Sequence, residues 1–236
     1  MVTDCCRVTE TREIVELADS LGLDTAESID SSEYGDETAV ERYYRFHSVL
    51  YDATRWTFLF GRSEILRRVA AIGSPASILE VGCGTGRNLI ELGRLFPQAR
   101  ITAVDLSAAM LQLARRKTAT LGDRIELLHR RYDASVNARP SFDLVLFSYS
   151  LSMFNPGFEK AIESAWRDLM PGGLVAVVDF HDTQLPLMSR WMQFNCVRTD
   201  GQLRPLFQNR FATLHDELRV VCGGVWRYLM FVGEKA

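Results

Sequence analysis

Five short apolar runs, separated by segments with helical periodicity, constrain the fold of this chain more than any other feature. Strands that are buried on both faces appear in a sequence as continuous apolar runs, because helices cover each face of the sheet. The sequence therefore predicts an α/β fold with a doubly wound parallel sheet. The five runs are SILEV (77–81), ITAVDL (101–106), a part of RIELLHRRYDA (124–134), FDLVLFSYS (142–150) and LVAVVDF (174–180).

The segments between and after these runs carry their own signals. Helices are predicted near residues 87–95, 108–121 and 157–169, and Pro171-Gly172-Gly173 is predicted to form a turn. Near the C-terminus, LRVVC and VWRYLMFVG are strand-like runs on either side of Gly223-Gly224. Two such runs across a Gly-Gly turn predict an antiparallel hairpin, so the last strand is expected to run against the others.

The first 40 residues differ in composition from the rest of the chain. They hold eleven acidic residues against two arginines, and part of this segment has the periodicity of a short amphipathic helix. Residues 40–69 are also helical in pattern and rich in aromatic residues. We therefore predict a helical lid or cap over residues 1–65 and a sheet domain over residues 66–236. A loose solvated tail is the alternative for the acidic segment.

Length, charge and cysteine content exclude several classes of function. The 236 residues carry a net charge of −3, without the basic excess by which nucleic-acid binders neutralise phosphates. No stretch approaches the roughly 18 consecutive apolar residues of a membrane span, and the N-terminus has no basic-then-apolar leader pattern. The five cysteines lack CxxC spacing and the four histidines lack metal-ligand spacing. We predict a cytoplasmic protein with reduced thiols and no metal, which acts on a small molecule rather than on nucleic acid.

The stretch ILEVGCGTGRNLIEL (78–92) places three glycines between the first predicted strand and the following helix. Gly82, Gly84 and Gly86 allow a ligand to approach the backbone closely, and the first amides of the helix then point at that ligand. Asp105 ends the second strand, about twenty residues further on, where an acid can accept both hydroxyls of a ribose. Together these features predict a nucleoside-binding site. A tight turn and a helix N-cap are the alternatives that involve no ligand.

The glycine spacing, G-C-G-T-G with Glu80 directly before it, departs from the G-x-G-x-x-G of dinucleotide sites. At these residues, and in AVDLSAAML, RYDA, FDLVLFSYSLSM, LMPGG and the terminal hairpin, the sequence resembles the class I S-adenosylmethionine (SAM)-dependent methyltransferases. The resemblance covers residues 40–236. It implies a Rossmann-like, seven-stranded sheet whose last strand is antiparallel, and SAM as the cofactor.

The resemblance also implies a role for individual residues along SAM. Glu80 and the three loop glycines are implied to hold the amino-acid end, and Asp105 to hold the ribose. The other implied contacts are with the faces of the adenine (Leu106, Met110), with its edge (Asp133, Ala134) and with the sulfonium (Ser148, Tyr149). For Asp133, the alternative is a plain acidic residue in a loop.

A second, narrower resemblance concerns the acceptor of the methyl group. YYRFHSVLYDATRWTFLFGR (43–62), GCGTGRN and SYSLSM are similar to the betaine-lipid N-methyltransferase group, whose members methylate the amine of a homoserine lipid headgroup. An acidic N-terminus is unfavourable near an anionic membrane, where each basic residue contributes roughly 1 kcal/mol. We therefore predict methyl transfer to the amine of a small molecule or headgroup, with a soluble acceptor preferred.

Two other functions are open for the same fold. The sulfonium of SAM also activates its γ-carbon, so attack at that carbon transfers the aminocarboxypropyl group, and attack by SAM's own α-amine gives azetidine-2-carboxylate. Either route releases methylthioadenosine and needs an enclosed site with aromatic faces around the sulfonium. The third function is a SAM-binding module without catalysis.

Candidate catalytic and acceptor-binding residues follow from position and residue type. An amine must lose its proton before it attacks, and open α/β sheets bind ligands beyond the carboxyl ends of their strands. Tyr149, Asp179 and His181 lie at or just past the predicted C-terminal ends of strands four and five, and they are the candidate bases or orienters. Wall and loop roles are the alternatives for Tyr149 and His181. The candidate acceptor-binding residues are Tyr43, Tyr44, Tyr51, Asp52, Arg55, Trp56 and Asn155.

Overall fold

The computed structural model describes residues 59–236 except 155, 195 and 196, so most of the predicted lid lies outside the described residues. None of the helices in this part of the chain combines the length and the apolar content that a membrane span needs. The strands are β1 (Ser77–Val81), β2 (Arg100–Asp105), β3 (Ile125–His129), β4 (Phe142–Ser148), β5 (Leu169–Asp182), β6 (Ala212–Val221) and β7 (Trp226–Glu234). The α-helices are α1 (Arg62–Ile72), α2 (Arg87–Leu95), α3 (Ala108–Lys117), α4 (Phe158–Asp168), α5 (Pro186–Phe194) and α6 (Leu203–Arg210).

The strands form one seven-stranded sheet in the order β3-β2-β1-β4-β5-β7-β6. Strands β3, β2, β1, β4 and β5 pair in parallel, and β7 is antiparallel to β5 on one side and to β6 on the other. The strand order reverses between β1 and β4, and ligands of open α/β sheets bind beyond the carboxyl ends of strands at such a point. The structure confirms the predicted Rossmann-like sheet, the terminal hairpin and the antiparallel last strand.

Helices cover both faces of the sheet, because strand side chains alternate between two apolar clusters. Ile78 and Leu144 belong to the cluster that includes residues of α1, α2 and α3, while the opposite face packs against α4 and α6. Glu80 and Ser148 follow Ile78 and Leu144 at even spacing along β1 and β4. Their side chains therefore lie on the α1–α3 face of the sheet, at the carboxyl ends of two adjacent strands.

The predicted turn Pro171-Gly172-Gly173 lies inside β5 rather than before it. Phe142 pairs with Leu169 and Leu144 with Leu174, so β5 carries extra residues between two paired positions. A local insertion of this kind is a bulge, after which the ladder resumes. The prediction of a turn that precedes the strand was wrong because the glycines let the bulge form without ending the pairing.

β5 also extends beyond its predicted C-terminal end. It continues to Asp182, so Asp179 and His181 are strand residues and do not follow the strand. The parallel partner β4 pairs with β5 only as far as Val178, whereas antiparallel pairing with β7 continues to Asp182. The prediction that His181 follows the strand was therefore wrong, because the hairpin prolongs β5 on its other side.

Helix α1 packs against the sheet directly before β1. Ile65, Leu66 and Val69 are buried in the same cluster as the strand residues of that face. Gly61 begins the helix with a φ angle of 79°, and a Cβ at this position would lie 2.6 Å from the ring of Tyr228. The predicted domain division after residue 65 falls inside α1, and it stays a prediction.

Candidate functional site

The glycine loop joins β1 to α2 at the carboxyl ends of the parallel strands. Gly82, Gly84 and Gly86 all have positive φ angles, of 73°, 53° and 79°. The amide of Gly82 donates to the carbonyl of Val104 at 2.8 Å, which ties the loop to β2. A Cβ at Gly82 would lie 2.5 Å from the Cβ of Ser150, whereas no described residue beyond the chain neighbours lies within 4 Å of a Cβ placed at Gly84. The loop is therefore packed at its first glycine and accessible at its second.

Helix α2 begins directly after Gly86, and no side chain among the described residues caps its first turn. The first amides of an uncapped helix carry partial positive charge and bind anionic groups. Helix α3 differs, because the hydroxyl of Ser107 accepts from the amide of Met110 at 3.3 Å. The N-terminus of α2 therefore keeps amide donors suited to a ligand carboxylate.

Asp105 lies at the end of β2, where its carboxylate joins the glycine loop to the start of α3. Its Oδ2 accepts from the amide of Gly84 at 2.8 Å and its Oδ1 from the amide of Ser107 at 2.9 Å. A carboxylate has about four lone-pair sites, so each oxygen keeps an acceptor site for a further donor. The N-cap of α3 is Ser107, which removes the alternative N-cap role of Asp105. The arrangement suits a pair of ligand hydroxyls.

Glu80 is a buried carboxyl group at the end of β1 with one unpaired oxygen. Its Oε1 accepts from the Nδ2 of Asn88 at 2.7 Å, while its Oε2 has no hydrogen-bond partner among the described residues. Burial raises the pKa of Glu80 to about 8, against the opposing effects of the Asn88 hydrogen bond and the charge of Arg62. A buried carboxyl oxygen without a donor costs free energy, so this oxygen suits a ligand that brings a donor or a positive charge.

The raised pKa of Glu80 predicts a pH-dependent stability difference between the unmodified chain and its Glu80→Gln variant. Between the ordinary value of 4.5 and the folded value of about 8, the folded state holds a proton that the unfolded state has lost. Stability therefore falls as the pH rises through this window, by up to about 1.4 kcal/mol per pH unit. Glutamine does not titrate, so the stability of the variant relative to the unmodified chain is expected to rise from pH 5 to pH 8. Urea unfolding at a series of pH values measures this difference.

Asp179, with a pKa that burial raises to about 6, is present in both proteins, and its contribution cancels from this comparison. A stability difference that stays constant from pH 5 to pH 8 would contradict the raised pKa of Glu80.

Ser148 and Tyr149 follow one another at the carboxyl end of β4. Ser148 is buried, and its hydroxyl has no hydrogen-bond partner among the described residues. Tyr149 has a φ angle of 55°, and its hydroxyl donates to the carbonyl of Phe60 at 2.7 Å. Burial raises the pKa of Tyr149 well above its ordinary value. This geometry favours an anchoring role for Tyr149 over a role as a base.

Asp179 lies on the α4 and α6 face of the sheet, because it alternates with the residues of β5 that face α1. The register of β5 and β7 shifts at His181, and the ring of His181 lies on the same face, beside Gly201 just before α6. Asp179 is fully buried, and its oxygens accept from the amides of Phe180 at 2.8 Å and Ser152 at 3.2 Å. Burial lowers the pKa of His181, whose carbonyl accepts from the amide of Gly201 at 2.9 Å. The structure thus groups Glu80 with Ser148 on one face, and it places these two candidates on the other.

The residues implied to meet the adenine lie near the ends of β2 and β3, which are adjacent strands. Leu106 is 53% exposed directly after Asp105, and Met110 is buried in the first turn of α3. Asp133 and Ala134 are exposed in the loop after β3. The geometry is compatible with an adenine near Leu106, and the four assignments stay predictions.

The acceptor-binding candidates lie outside the described residues and stay predictions. They are Tyr43, Tyr44, Tyr51, Asp52, Arg55, Trp56 and Asn155.

Two site residues were missed in the sequence predictions. Asn88 lies in the first turn of α2 and donates to Glu80, and its sequence signal was its place in the GCGTGRN motif. Arg62 lies at the start of α1, with its guanidinium carbon 5.7 Å from the centroid of the Tyr149 ring. Its positive charge lowers the pKa of both Glu80 and Tyr149. A contact between α1 and the ends of two strands has no local signal in the sequence.

Comparison with known proteins agrees with this arrangement. Residues 78–173 match the model of a family described as "Methyltransferase domain". A malonyl-[acyl-carrier protein] O-methyltransferase from Priestia megaterium is 35% identical over 136 residues, which are 57% of this chain and 48% of the relative. A demethylmenaquinone methyltransferase from Clavibacter sepedonicus is 30% identical over 148 residues, which are 61% of this chain and 58% of the relative. The crystal structure of the N-methyltransferase NodS from Bradyrhizobium japonicum with S-adenosylhomocysteine has a TM-score of 0.69 at 16% identity, and the match covers 84% of this chain and 99% of that one.

The sheet order, the glycine loop and the acid at the end of β2 define a Rossmann-like methyltransferase fold. The family match, the methyltransferase relatives and the similar solved structure support the assignment of this chain to the class I SAM-dependent methyltransferase superfamily. The matched part of the chain spans about half the length of the first of these relatives and less than two thirds of the second. The narrower similarity to the betaine-lipid group stays a prediction.

Proposed function

We propose that this chain binds SAM and transfers its methyl group to the amine of a small molecule. The observation that carries the proposal is the carboxylate of Asp105. Backbone amides hold both of its oxygens in place at the end of β2, and each oxygen keeps an acceptor site for one ribose hydroxyl. A carboxylate held in this way is preorganised for a nucleoside.

Further features of the described residues fit the other parts of SAM. The unpaired oxygen of Glu80 suits the ammonium group of the amino-acid end, and the uncapped amides of α2 suit its carboxylate. Among the described residues nothing fills the space beside Gly84, so a ligand could lie against the loop backbone there. Leu106, exposed beside Asp105, offers an apolar surface for the adenine.

When bound, SAM supplies a methyl group made electrophilic by the positively charged sulfur. The chain's own contribution is then to orient the two reactants and to exclude water, which accounts for much of the acceleration of such a displacement. The unpaired hydroxyl of Ser148 would offer a neutral oxygen beside the positive charge. Tyr149 and Asp179 both hydrogen-bond to backbone groups, so the proposal assigns them positioning roles.

The choice of an amine as acceptor rests on charge and on residue type. Methylation of an amine gives an ammonium product, and aromatic faces stabilise such a cation. Aromatic residues are concentrated between residues 43 and 56. The fold is similar to that of an N-methyltransferase, while the two sequence relatives carry the names of enzymes that act on malonyl-[acyl-carrier protein] and on demethylmenaquinone. Carboxylic acids and quinols are therefore the acceptors to compare with amines.

The test is mass spectrometry of the products formed by purified protein from SAM, first alone and then with panels of small amines, carboxylic acids and quinols. S-adenosylhomocysteine together with a methylated amine is the expected result. A methylated acid or quinol would contradict the choice of acceptor. Methylthioadenosine formed from SAM alone would contradict methyl transfer and indicate attack at the γ-carbon.

SAM also decomposes without an enzyme, so the Asp105→Ala protein serves as the control for spontaneous breakdown. Product formation that is the same with this variant as with the unmodified chain would not be enzymatic. SAM binding without turnover across all three panels would favour the third function, a binding module.

A further inference from the structure

A buried acid–tyrosine pair lies behind the loop that follows β3. Asp168 is fully buried at the end of α4, and Tyr132 is 4% exposed. The hydroxyl of Tyr132 donates to Oδ2 of Asp168 at 2.8 Å. The amide of Val136 lies 3.0 Å from both carboxylate oxygens of Asp168. One buried carboxylate therefore holds two points of a loop whose other residues are exposed or half-buried.

A third anchor joins this loop to the proposed ribose site. The amide of Arg130 donates to the backbone carbonyl of Asp105 at 3.2 Å. Residues 130–136, named here the nucleoside loop, are thus held at one end by β2 and further along by Asp168. Asp133 and Ala134 lie between these anchors and are exposed.

We propose that Tyr132 and Asp168 are positioning residues that hold the nucleoside loop at the edge of the adenine. The inference rests on the proposed function, because it requires that a nucleoside is bound. Asp105 accepts the ribose hydroxyls in the proposed complex, and Asp133 and Ala134 meet the base. The anchors of the loop at Asp105 and Asp168 then set the distance between these two parts of the site. Loss of the second anchor lets the loop sample positions that no longer fit the base, and ordering it again on binding costs free energy.

A role in packing alone accounts poorly for this pair. Burial of a carboxylate is costly unless donors satisfy it, and an apolar pair of similar volume would fill the same space without that cost. The ring of Tyr132 packs on Phe147 with centroids 6.2 Å apart, and phenylalanine would keep this contact. The hydroxyl is needed for the connection to Asp168, not for filling the core.

The test compares the Tyr132→Phe protein with the unmodified chain in calorimetric titrations with S-adenosylhomocysteine and with methylthioadenosine. The second ligand shares the nucleoside but lacks the amino-acid end. Both ligands are expected to bind roughly fivefold more weakly to the variant, by a similar factor, since one hydrogen bond that fixes the loop is lost. The Ser141→Ala protein is the control. It removes the hydrogen bond from Asn137 to Ser141, which lies at the other end of the segment between β3 and β4.

Three outcomes would overturn the inference. Unchanged affinity of Tyr132→Phe for both ligands shows that the hydroxyl does not position the loop. A loss confined to S-adenosylhomocysteine places the effect at the amino-acid end. An equal loss of affinity in Ser141→Ala shows that any disturbance of the segment between β3 and β4 weakens binding. If the unmodified chain binds neither ligand, the proposed function fails, which is a different result from binding that Tyr132→Phe leaves unchanged.

Discussion

The Asp105→Ala protein is expected to bind S-adenosylhomocysteine about 100-fold more weakly than the unmodified chain. In the proposed complex, Asp105 accepts two ribose hydroxyls, and hydrogen bonds to a charged group each contribute about 1.5–3 kcal/mol. Loss of two such bonds lowers the affinity by two orders of magnitude or more, since about 1.4 kcal/mol corresponds to a factor of ten. The substitution also leaves the amide of Gly84 without its carboxylate partner, which loosens the loop.

Asp143→Ala provides a matched control for this experiment. The carboxylate of Asp143 also accepts two backbone amides, those of Ala76 and Ser77, each at 2.9 Å. It lies at the amino ends of β4 and β1, at the opposite edge of the sheet from Asp105. Asp143→Ala is therefore expected to lower the melting temperature while leaving the affinity for S-adenosylhomocysteine within about twofold.

Calorimetric titration of both variants decides the assignment of the ribose. Equal affinity of Asp105→Ala and the unmodified chain would refute it. Equal losses in Asp105→Ala and Asp143→Ala would show that affinity follows stability and not a contact with the ligand.

The parts of the site that the sequence predicts are those with a local signal. Gly82, Gly84 and Gly86 have positive φ angles because the chain turns sharply from β1 into α2, and few other residue types adopt such angles. Asp105 follows from strand spacing, because adjacent parallel strands bring their carboxyl ends together. Local backbone requirements and the sheet topology are thus sufficient to predict the loop and its acid.

Contacts between distant segments have no such signal. Tyr132 and Asp168 are 36 residues apart, and their pairing depends on how α4 packs under the loop after β3.

The interval between β5 and β6 holds α5 and α6, which the periodicity did not predict. Leu187 and Trp191 of α5 are 82% and 51% exposed, so its apolar residues do not form the single buried stripe on which such a prediction depends. The packing of each segment on the finished sheet determines these features.

The Gly82→Ala substitution is expected to lower the free energy of unfolding by about 3–4 kcal/mol. Two costs add at this position. The φ angle of 73° is strained for any residue with a Cβ, by about 1–2 kcal/mol. The new methyl group would also lie 2.5 Å from the Cβ of Ser150, and two carbon atoms do not approach this closely without a shift of the backbone.

Gly84→Ala separates these two costs, because Gly84 has a φ angle of 53° and no described residue beyond the chain neighbours lies within 4 Å of a Cβ placed there. It carries the conformational strain without the collision, so its stability loss is expected to stay near 1–2 kcal/mol. The double variant Gly82→Ala/Ser150→Gly removes the atom that collides and is expected to regain part of the loss. Denaturant unfolding of the three proteins measures these differences.

Gly82→Ala is also expected to abolish binding of S-adenosylhomocysteine in the folded protein. The collision with Ser150 is relieved only if the loop moves away from the end of β4, and this movement breaks the hydrogen bond from Gly82 to Val104. The amide of Gly84 then loses its position against Asp105, so the loop and the ribose acid are disturbed together. Stability losses that are equal in Gly82→Ala and Gly84→Ala, with binding retained in Gly82→Ala, would show that Ser150 does not confine the loop. The close contact between the first glycine and β4 would then have no part in shaping the site.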